Sequence, residues 1–154
     1  MVVSLYDSPV GRLLITADDH ALRGIVMAEA DAGTENSNAL TALAAKQLTE
    51  YFAGVRQVFS LPLAFSGTSF QKDVWRALAK IPYGQTVSYG ELAKACGHPA
   101  AVRATANAVG KNPFLIVLPC HRVLASHDRL GGFSAGISIK KALLSHENIL
   151  WREP

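Results

Sequence analysis

A cysteine set between a proline and a histidine, in the run Pro119-Cys120-His121-Arg122-Val123, is the part of this 154-residue chain whose residue types could do chemistry. The reactive form of cysteine is the thiolate, and a free thiol is only a few per cent ionised near neutrality unless a neighbour removes its proton. His121 is the nearest group able to do so. Adjacent side chains on an extended chain point to opposite sides, so the two must sit on a turn or at a helix start, or exchange the proton through a water. Glu147, near the end of the last helical stretch, is the carboxylate placed to orient the imidazole, completing a set of nucleophile, base and orienter. The competing reading is an inert buried cysteine beside a surface histidine, because unreactive buried cysteines are common.

The elements that must position these residues follow from local patterns. After Asn112-Pro113, the apolar run Phe114–Leu118 predicts a buried strand that delivers the cysteine. Upstream, Thr68-Ser69 predict helix caps ahead of Phe70, Val74, Trp75 and Leu78 at helical spacing, and Ile81-Pro82-Tyr83-Gly84 breaks that helix. Ser88-Tyr89-Gly90-Glu91 has the form of a capping box. Tyr89, Leu92, Ala93 and Cys96 then fall on one face of the helix it starts, which makes Cys96 a core residue. Gly97-His98-Pro99 predicts a tight turn, with Pro99 suited to the first turn of the next helix and Gly110 to its end. Two short helices joined by such a turn predict a helix-turn-helix. On the second helix Ala101, Val102, Thr105, Ala108 and Val109 form an inward arc, while Arg103 and Asn107 point away, flanked by Ala100, Ala104 and Ala106. That outward face carries one cation, one amide and little bulk, so another backbone can approach it closely. An ordinary alanine-rich surface helix would read the same way.

The first part of the chain has a different texture. Val2–Ser8, Leu13–Ala17 and Leu22–Met27 are short apolar or alternating runs separated by turn residues, which predicts a three-stranded meander. Ala30–Asn38 is small and polar and reads as a loop, and Ala39–Phe52 is helical through Leu40, Leu43, Ala44, Leu48 and Tyr51, ended by Gly54. Nothing here suggests chemistry, so this part reads as scaffold. The expected domains are 1–67, a sheet-and-helix scaffold, and 68–154, which carries the reactive cysteine and the helix-turn-helix.

Composition narrows the classes further. The chain is long enough to bury a core without disulfides or metal. Its hydrophobic fraction of 49% and charged fraction of 18% are those of a folded domain. The start lacks a leader pattern and no run approaches the length of a membrane span, so the expected location is the cytoplasm, with no membrane partner. Two cysteines and five scattered histidines make neither a disulfide framework nor a zinc site. Charge is uneven: residues 1–68 carry four basic and seven acidic side chains, net −3, whereas residues 69–154 carry eleven and five, net +6. The basic half is the candidate for a polyanionic partner, against the simpler reading of a solvated lysine-rich surface.

Residues 68–147 resemble the catalytic domain of the O6-alkylguanine-DNA alkyltransferases, also called methylated-DNA-protein-cysteine methyltransferases. The resemblance runs through Thr68-Ser69-Phe70-Gln71, Val74-Trp75, Ile81-Pro82-Tyr83-Gly84, Ser88-Tyr89, Arg103-Ala104, Asn112-Pro113, Pro119-Cys120-His121-Arg122-Val123 and Leu143-Leu144. It implies an α/β fold class: a small N-terminal ribonuclease-H-like domain with a short antiparallel sheet and a helix, then a mainly helical domain whose helix-turn-helix binds the DNA minor groove. It implies that Cys120 accepts an alkyl group from O6 of guanine once per molecule, with His121 activating it through a water, Glu147 holding the histidine and Asn112 supporting the turn. Arg103 would replace the extruded guanine, Ala104, Ala106 and Asn107 would lie against DNA, and Tyr89 would contact phosphate and base. Phe133 and Ser134 align with the loop that closes over the base, and Lys140 with a lysine near the site. The implied partner is double-stranded alkylated DNA, bound by a monomer in solution with room for several molecules along one duplex. No cofactor and no metal are implied.

Four residues depart from the family pattern: Thr105-Ala106 stand for Val-Gly, Phe133 for tyrosine, and Asp128 for a turn glycine. None touches the Cys-His-Glu set. Of the rivals, a non-catalytic alkyltransferase-like lesion binder has tryptophan at the acceptor position, a thiol hydrolase needs an oxyanion hole, and a plain helix-turn-helix regulator makes no use of Cys120.

Overall fold

Leu13, Ile15 and Ala17 alternate with Arg12, Leu14 and Thr16, and this two-residue period makes the middle strand of an antiparallel sheet. In the computed structural model, which describes residues 1–30 and 35–153, the strands β1 (Val2–Ser8), β2 (Gly11–Ala17) and β3 (Leu22–Met27) pair in sequence order. The β1–β2 hairpin closes at Ser8 opposite Gly11. Leu13, Ile15, Ala17, Leu22 and Ile25 are fully buried, and the helix α1 (Ala39–Phe52) packs on β1 and β2. Asn38 caps α1 by accepting from the Leu40 and Thr41 amides. Leu43, expected on the apolar face, is exposed, and Thr41 and Gln47 are buried instead. Gln47 can go inside because its amide is satisfied at both ends, donating to Ser60 O at 3.1 Å and accepting from Ser60 N–H at 2.9 Å. Of the expected loop Ala30–Asn38, residues 31–34 lie outside the described residues. Asn36 bridges back to Val3.

The chain divides into two compact units, Met1–Phe65 and Ser66–Pro154, where the sequence reading placed the division at Gly67-Thr68. The second unit starts with α2 (Ser69–Leu78), capped by reciprocal bonds between Thr68 and Gln71. The Ser88–Glu91 capping box starts α3 (Tyr89–Ala95), and α4 (Val102–Gly110) follows across the Gly97 turn. Buried Trp75 donates its indole N–H to Ala108 O at 2.9 Å, which fastens α2 to α4. Two short strands, β4 (Val87–Ser88) and β5 (Val123–Leu124), pair in parallel, and α5 (Ile137–His146) closes the unit.

The C-terminus of α5 is a Schellman turn. Asn148 takes the left-handed conformation at φ 59°, its N–H reaches Ser145 O, and the Ile149 N–H reaches Leu144 O. Among the described residues no helix is long and apolar enough to cross a membrane.

Four expectations are corrected here. Phe114–Leu118 is a pair of tight turns, not a strand. A short apolar run fits either form, and φ 72° at Ile116 turns the chain back with Val117 N–H on Leu115 O and Leu118 N–H on Phe114 O. Cys96 is the half-buried C-cap of α3, because the seven-residue helix ends before its face reaches the core. Val102 is 42% exposed, since α4 begins there and its first residue lies beyond the packed surface. Pro99 belongs to the turn before α4, where the Ala101 N–H is bound to His98 O.

Candidate active site

Pro119 controls how the cysteine is presented. Its φ of −79° and ψ of 65° are those of an inverse γ-turn, closed by the Cys120 N–H on Leu118 O at 2.7 Å. The chain emerges from that turn directly into a single turn of 3-10 helix, Cys120–Arg122, so Cys120 and His121 do not sit on an extended strand that would separate them. The segment leading in is stapled by Asn112, whose side-chain amide donates to Leu118 O at 2.8 Å while its carbonyl accepts from Phe114 N–H at 2.8 Å. Between these anchors Ile116 is held in the left-handed region, a strained conformation for a β-branched residue. The β4–β5 pairing then sets Val87-Ser88, and with them the start of α3 at Tyr89, beside Val123-Leu124.

Cys120 is 2% exposed and lies at a cavity of about 430 Å³. Tyr89, Ala106, Phe133 and Ser134, all singled out from the sequence, line the same cavity, together with Val109 and Gly131 among others. Gly131 has φ 68°, and its missing side chain leaves the loop close to Ala125 and Tyr89.

Burial pushes the Cys120 thiol up to about 11, against the opposing pull of Asn112, Lys140 and the backbone N–H groups of Cys120 and His121. At neutral pH the resting residue is therefore a thiol, and ionising it costs roughly 5 kcal/mol. Desolvation also raises Tyr89 above the ordinary phenol value, with Cys120 adding to it.

Next to the cysteine in sequence, His121 and Arg122 form a buried cluster with Glu147. His121 Nε2 is 2.7 Å from Glu147 Oε2. Arg122 donates through Nε to Glu147 Oε1 at 2.8 Å and through Nη2 to Oε2 at 3.0 Å, and through Nη1 to Ile81 O at 2.7 Å. The Gly84 N–H adds a further donor to Glu147 Oε1 at 3.1 Å. These partners offset an unfavourable position, because Glu147 caps the C-terminus of α5, where the helix dipole disfavours a carboxylate. Glu147, which accepts from Arg122 at both oxygens, can only accept from the ring, and this fixes the tautomer: His121 donates from Nε2, and Nδ1 is left as an acceptor. Nδ1 is buried and has no hydrogen-bond partner among the described residues. Desolvation lowers His121 below its ordinary value more than Glu147 raises it, so the ring is neutral at neutral pH.

Lys140 is also fully buried, on the first turns of α5. Its Nζ donates to Val123 O at 2.8 Å and Gly132 O at 3.1 Å and lies 5.9 Å from the centre of the Phe133 ring, so it ties β5 to the loop that walls the cavity. Burial lowers it to about 8, with Cys120 pulling the other way.

Of the residues expected to act together, Cys120, His121, Glu147, Asn112, Lys140, Tyr89, Ala106, Phe133 and Ser134 converge on this region. Arg103, Ala104 and Asn107 do not line the cavity and lie exposed on α4. Ala106 links the two sets, since it belongs to α4 and faces the cavity. The sequence places a helix break at Ile81–Gly84 and Arg122 within the Pro119–Val123 segment, but it assigns neither a role in the site. The available signal was an arginine inside an otherwise apolar stretch from Phe114 to Leu124, where a cation demands a buried anion.

A family model described as 6-O-methylguanine DNA methyltransferase, DNA binding domain, matches residues 69–149, and one described as its ribonuclease-like domain matches residues 1–65. A methylated-DNA–protein-cysteine methyltransferase of Methanosarcina acetivorans is 40% identical over 154 residues, covering 96% of this chain and 98% of that protein. The crystal structure of Mycobacterium tuberculosis O6-methylguanine methyltransferase superposes with a TM-score of 0.84 at 39% identity, covering 96% of this chain and 93% of that one. A structure of the M. tuberculosis protein in complex with DNA matches with a TM-score of 0.84 at 40% identity, covering 93% and 90%.

Proposed function

Because this chain belongs to the 6-O-methylguanine DNA methyltransferase family, we propose that it repairs DNA by moving an alkyl group from O6 of guanine onto Cys120 and is spent by that single transfer. The observation that carries this reading is the buried Cys120 lining a cavity of about 430 Å³, beside an imidazole whose Nδ1 has no hydrogen-bond partner among the described residues.

His121 Nδ1 takes the thiol proton, through a water, as Sγ attacks the alkyl carbon. The S–C bond forms as the C–O6 bond breaks. The electron pair of that bond leaves on guanine, and the proton that left the thiol is returned to the base, with Tyr89 and backbone N–H groups of the cavity stabilising the leaving anion. The net change replaces Cys–SH and alkylguanine by Cys–S–alkyl and guanine. Water does not cleave the thioether, so no turnover follows.

O6 of a stacked guanine is out of reach of a buried thiol, and chemistry on a base requires its extrusion at a cost of a few kcal/mol. The exposed face of α4, with Arg103 and Asn107 between small alanines, meets the minor groove, and Arg103 fills the space the base leaves. Phe133 and Ser134 close over the extruded base. No cofactor takes part in this scheme. Peptide mapping by mass spectrometry after reaction with O6-methylguanine duplex tests it: one methyl on the peptide carrying Cys120 supports the reading, and an unmodified Cys120 with the lesion bound supports the non-catalytic lesion binder instead.

A further inference from the structure

Arg122 is buried, yet no step of the transfer uses it. It spends three of its five donors inside the protein: two on the carboxylate that holds the catalytic imidazole and one on Ile81 O. Its guanidinium also lies 5.6 Å from the centre of the Tyr83 ring, in the same turn that supplies the Gly84 N–H to Glu147. A buried arginine in bidentate contact is a strong and geometrically specific restraint on a carboxylate.

We propose that Arg122 is a positioning residue that keeps Glu147 an anion and His121 a neutral base, with Nε2–H pinned and Nδ1 bare. This inference rests on the transfer reading above. Removing the guanidinium takes away the cation that contacts both carboxylate oxygens, and the cluster relieves that loss by binding a proton, either on Glu147 or on His121 as an imidazolium paired with it. An imidazolium must lose its added proton before Nδ1 can accept one from the thiol, and a protonated Glu147 leaves His121 a weaker base, so either outcome slows the reaction on the acid side. The other titratable groups facing the cluster do not replace Arg122. Lys140 opposes protonation of His121 but donates to Val123 O and Gly132 O, Tyr83 is a neutral phenol, and Cys120 is a thiol.

The test is the pH dependence of single-turnover alkylation of Cys120 by the free base O6-benzylguanine, which needs no DNA, for the full-length protein and for Arg122→Met and Arg122→Lys. For Arg122→Met the acid limb moves upward by a pH unit or more, so the rate near pH 6.5 falls about tenfold and recovers at alkaline pH. Arg122→Lys keeps the charge and leaves the limb in place with a lower plateau. Losses by one common factor at every pH in Arg122→Met, or equal limb shifts in both variants, would overturn the proposal. Should Arg122→Met fail to fold, Arg122→Gln, which keeps a donor but not the charge, takes its place, with nitrogen NMR of His121 in that variant and in the unaltered protein. The His121 signal of Arg122→Gln is expected to change at a higher pH than that of the unaltered protein, and the same pH dependence in both contradicts a role for Arg122. An unaltered protein that alkylates nothing defeats the transfer reading, whereas this comparison bears on Arg122.

Discussion

His121 Nε2 and Glu147 Oε2 stand 2.7 Å apart with neither side chain exposed, and this contact decides which nitrogen of the imidazole is free to act. A carboxylate can only accept, so the shared proton belongs to Nε2 and the lone pair belongs to Nδ1. Glu147→Gln keeps the shape but loses the charge, and it should slow alkylation by O6-benzylguanine and by alkylated duplex alike. Arg103→Ala should slow the duplex reaction much more than the free-base reaction, because only the duplex requires extrusion. Single-turnover rates on both substrates give the ratio directly, and equal losses in Arg103→Ala would refute its role in extrusion.

Cys120→Ala removes the acceptor while leaving α4 untouched, so alkyl transfer should vanish and DNA binding remain largely intact. Cys96→Ser should remain fully active. The Cys96 thiol is half-buried and directed at Ala93 O at 3.4 Å, and a hydroxyl can make the same bond. Transfer assays beside a gel-shift titration check both expectations, and a folded but inactive Cys96→Ser would give that cysteine a role the site geometry lacks.

Asn112 satisfies one backbone donor and one acceptor on either side of the left-handed Ile116. Asn112→Ala removes the acceptor of the Phe114 N–H, at a cost of about 1–3 kcal/mol where that group stays buried and unsatisfied, while Leu118 O keeps the Cys120 N–H. It also frees the segment that sets Cys120. Chemical denaturation should show the loss of stability, and the single-turnover rate should fall with it. A variant as stable and as fast as the unaltered protein would show that Pro119 alone presents the thiol.

Lys140 titrates near 8 when folded and near its ordinary 10.5 when unfolded, because burial penalises its charge. Between those values the unfolded chain holds more protons on this side chain. Its contribution to stability is therefore complete above about 10.5 and is lost as pH falls through about 8. Deprotonation still leaves two N–H donors for Val123 O and Gly132 O, so the tie to the cavity loop survives. Denaturant unfolding of the protein and of Lys140→Met at pH 7, 9 and 10.5 checks the sign: the advantage of lysine over methionine should grow with pH. Cys120 trends the opposite way, since its raised value contributes stability below about 9 that is lost as pH rises through about 11, and the comparison between pH 7 and 9 is therefore the cleaner one.

What the sequence made legible was local. Capping boxes at Thr68 and Ser88, the alternation in β2 and the helical spacing of α2 are each written within a few residues, and each element formed where its pattern lay. Cys120, His121 and Glu147 could be named because their chemistry is rare. The geometry joining them could not be, since it depends on contacts between distant segments. The Gly84 N–H reaches Glu147 across 63 positions, and β4 finds β5 through only two residues each. Phe114–Leu118 was misread because five apolar residues carry no period long enough to separate a strand from a buried turn. Arg122 was passed over because a side chain's partner is not visible until the chain is folded.

The central claim is that one chain accepts one alkyl group, on Cys120, and then stops. Titrating a fixed amount of the protein with excess O6-methylguanine duplex and counting guanines restored per chain tests it most directly. The count should plateau at one, with every adduct on Cys120. A count that continues to rise with time would show turnover, and a count of zero with the lesion still bound would show recognition without transfer; either result contradicts the account.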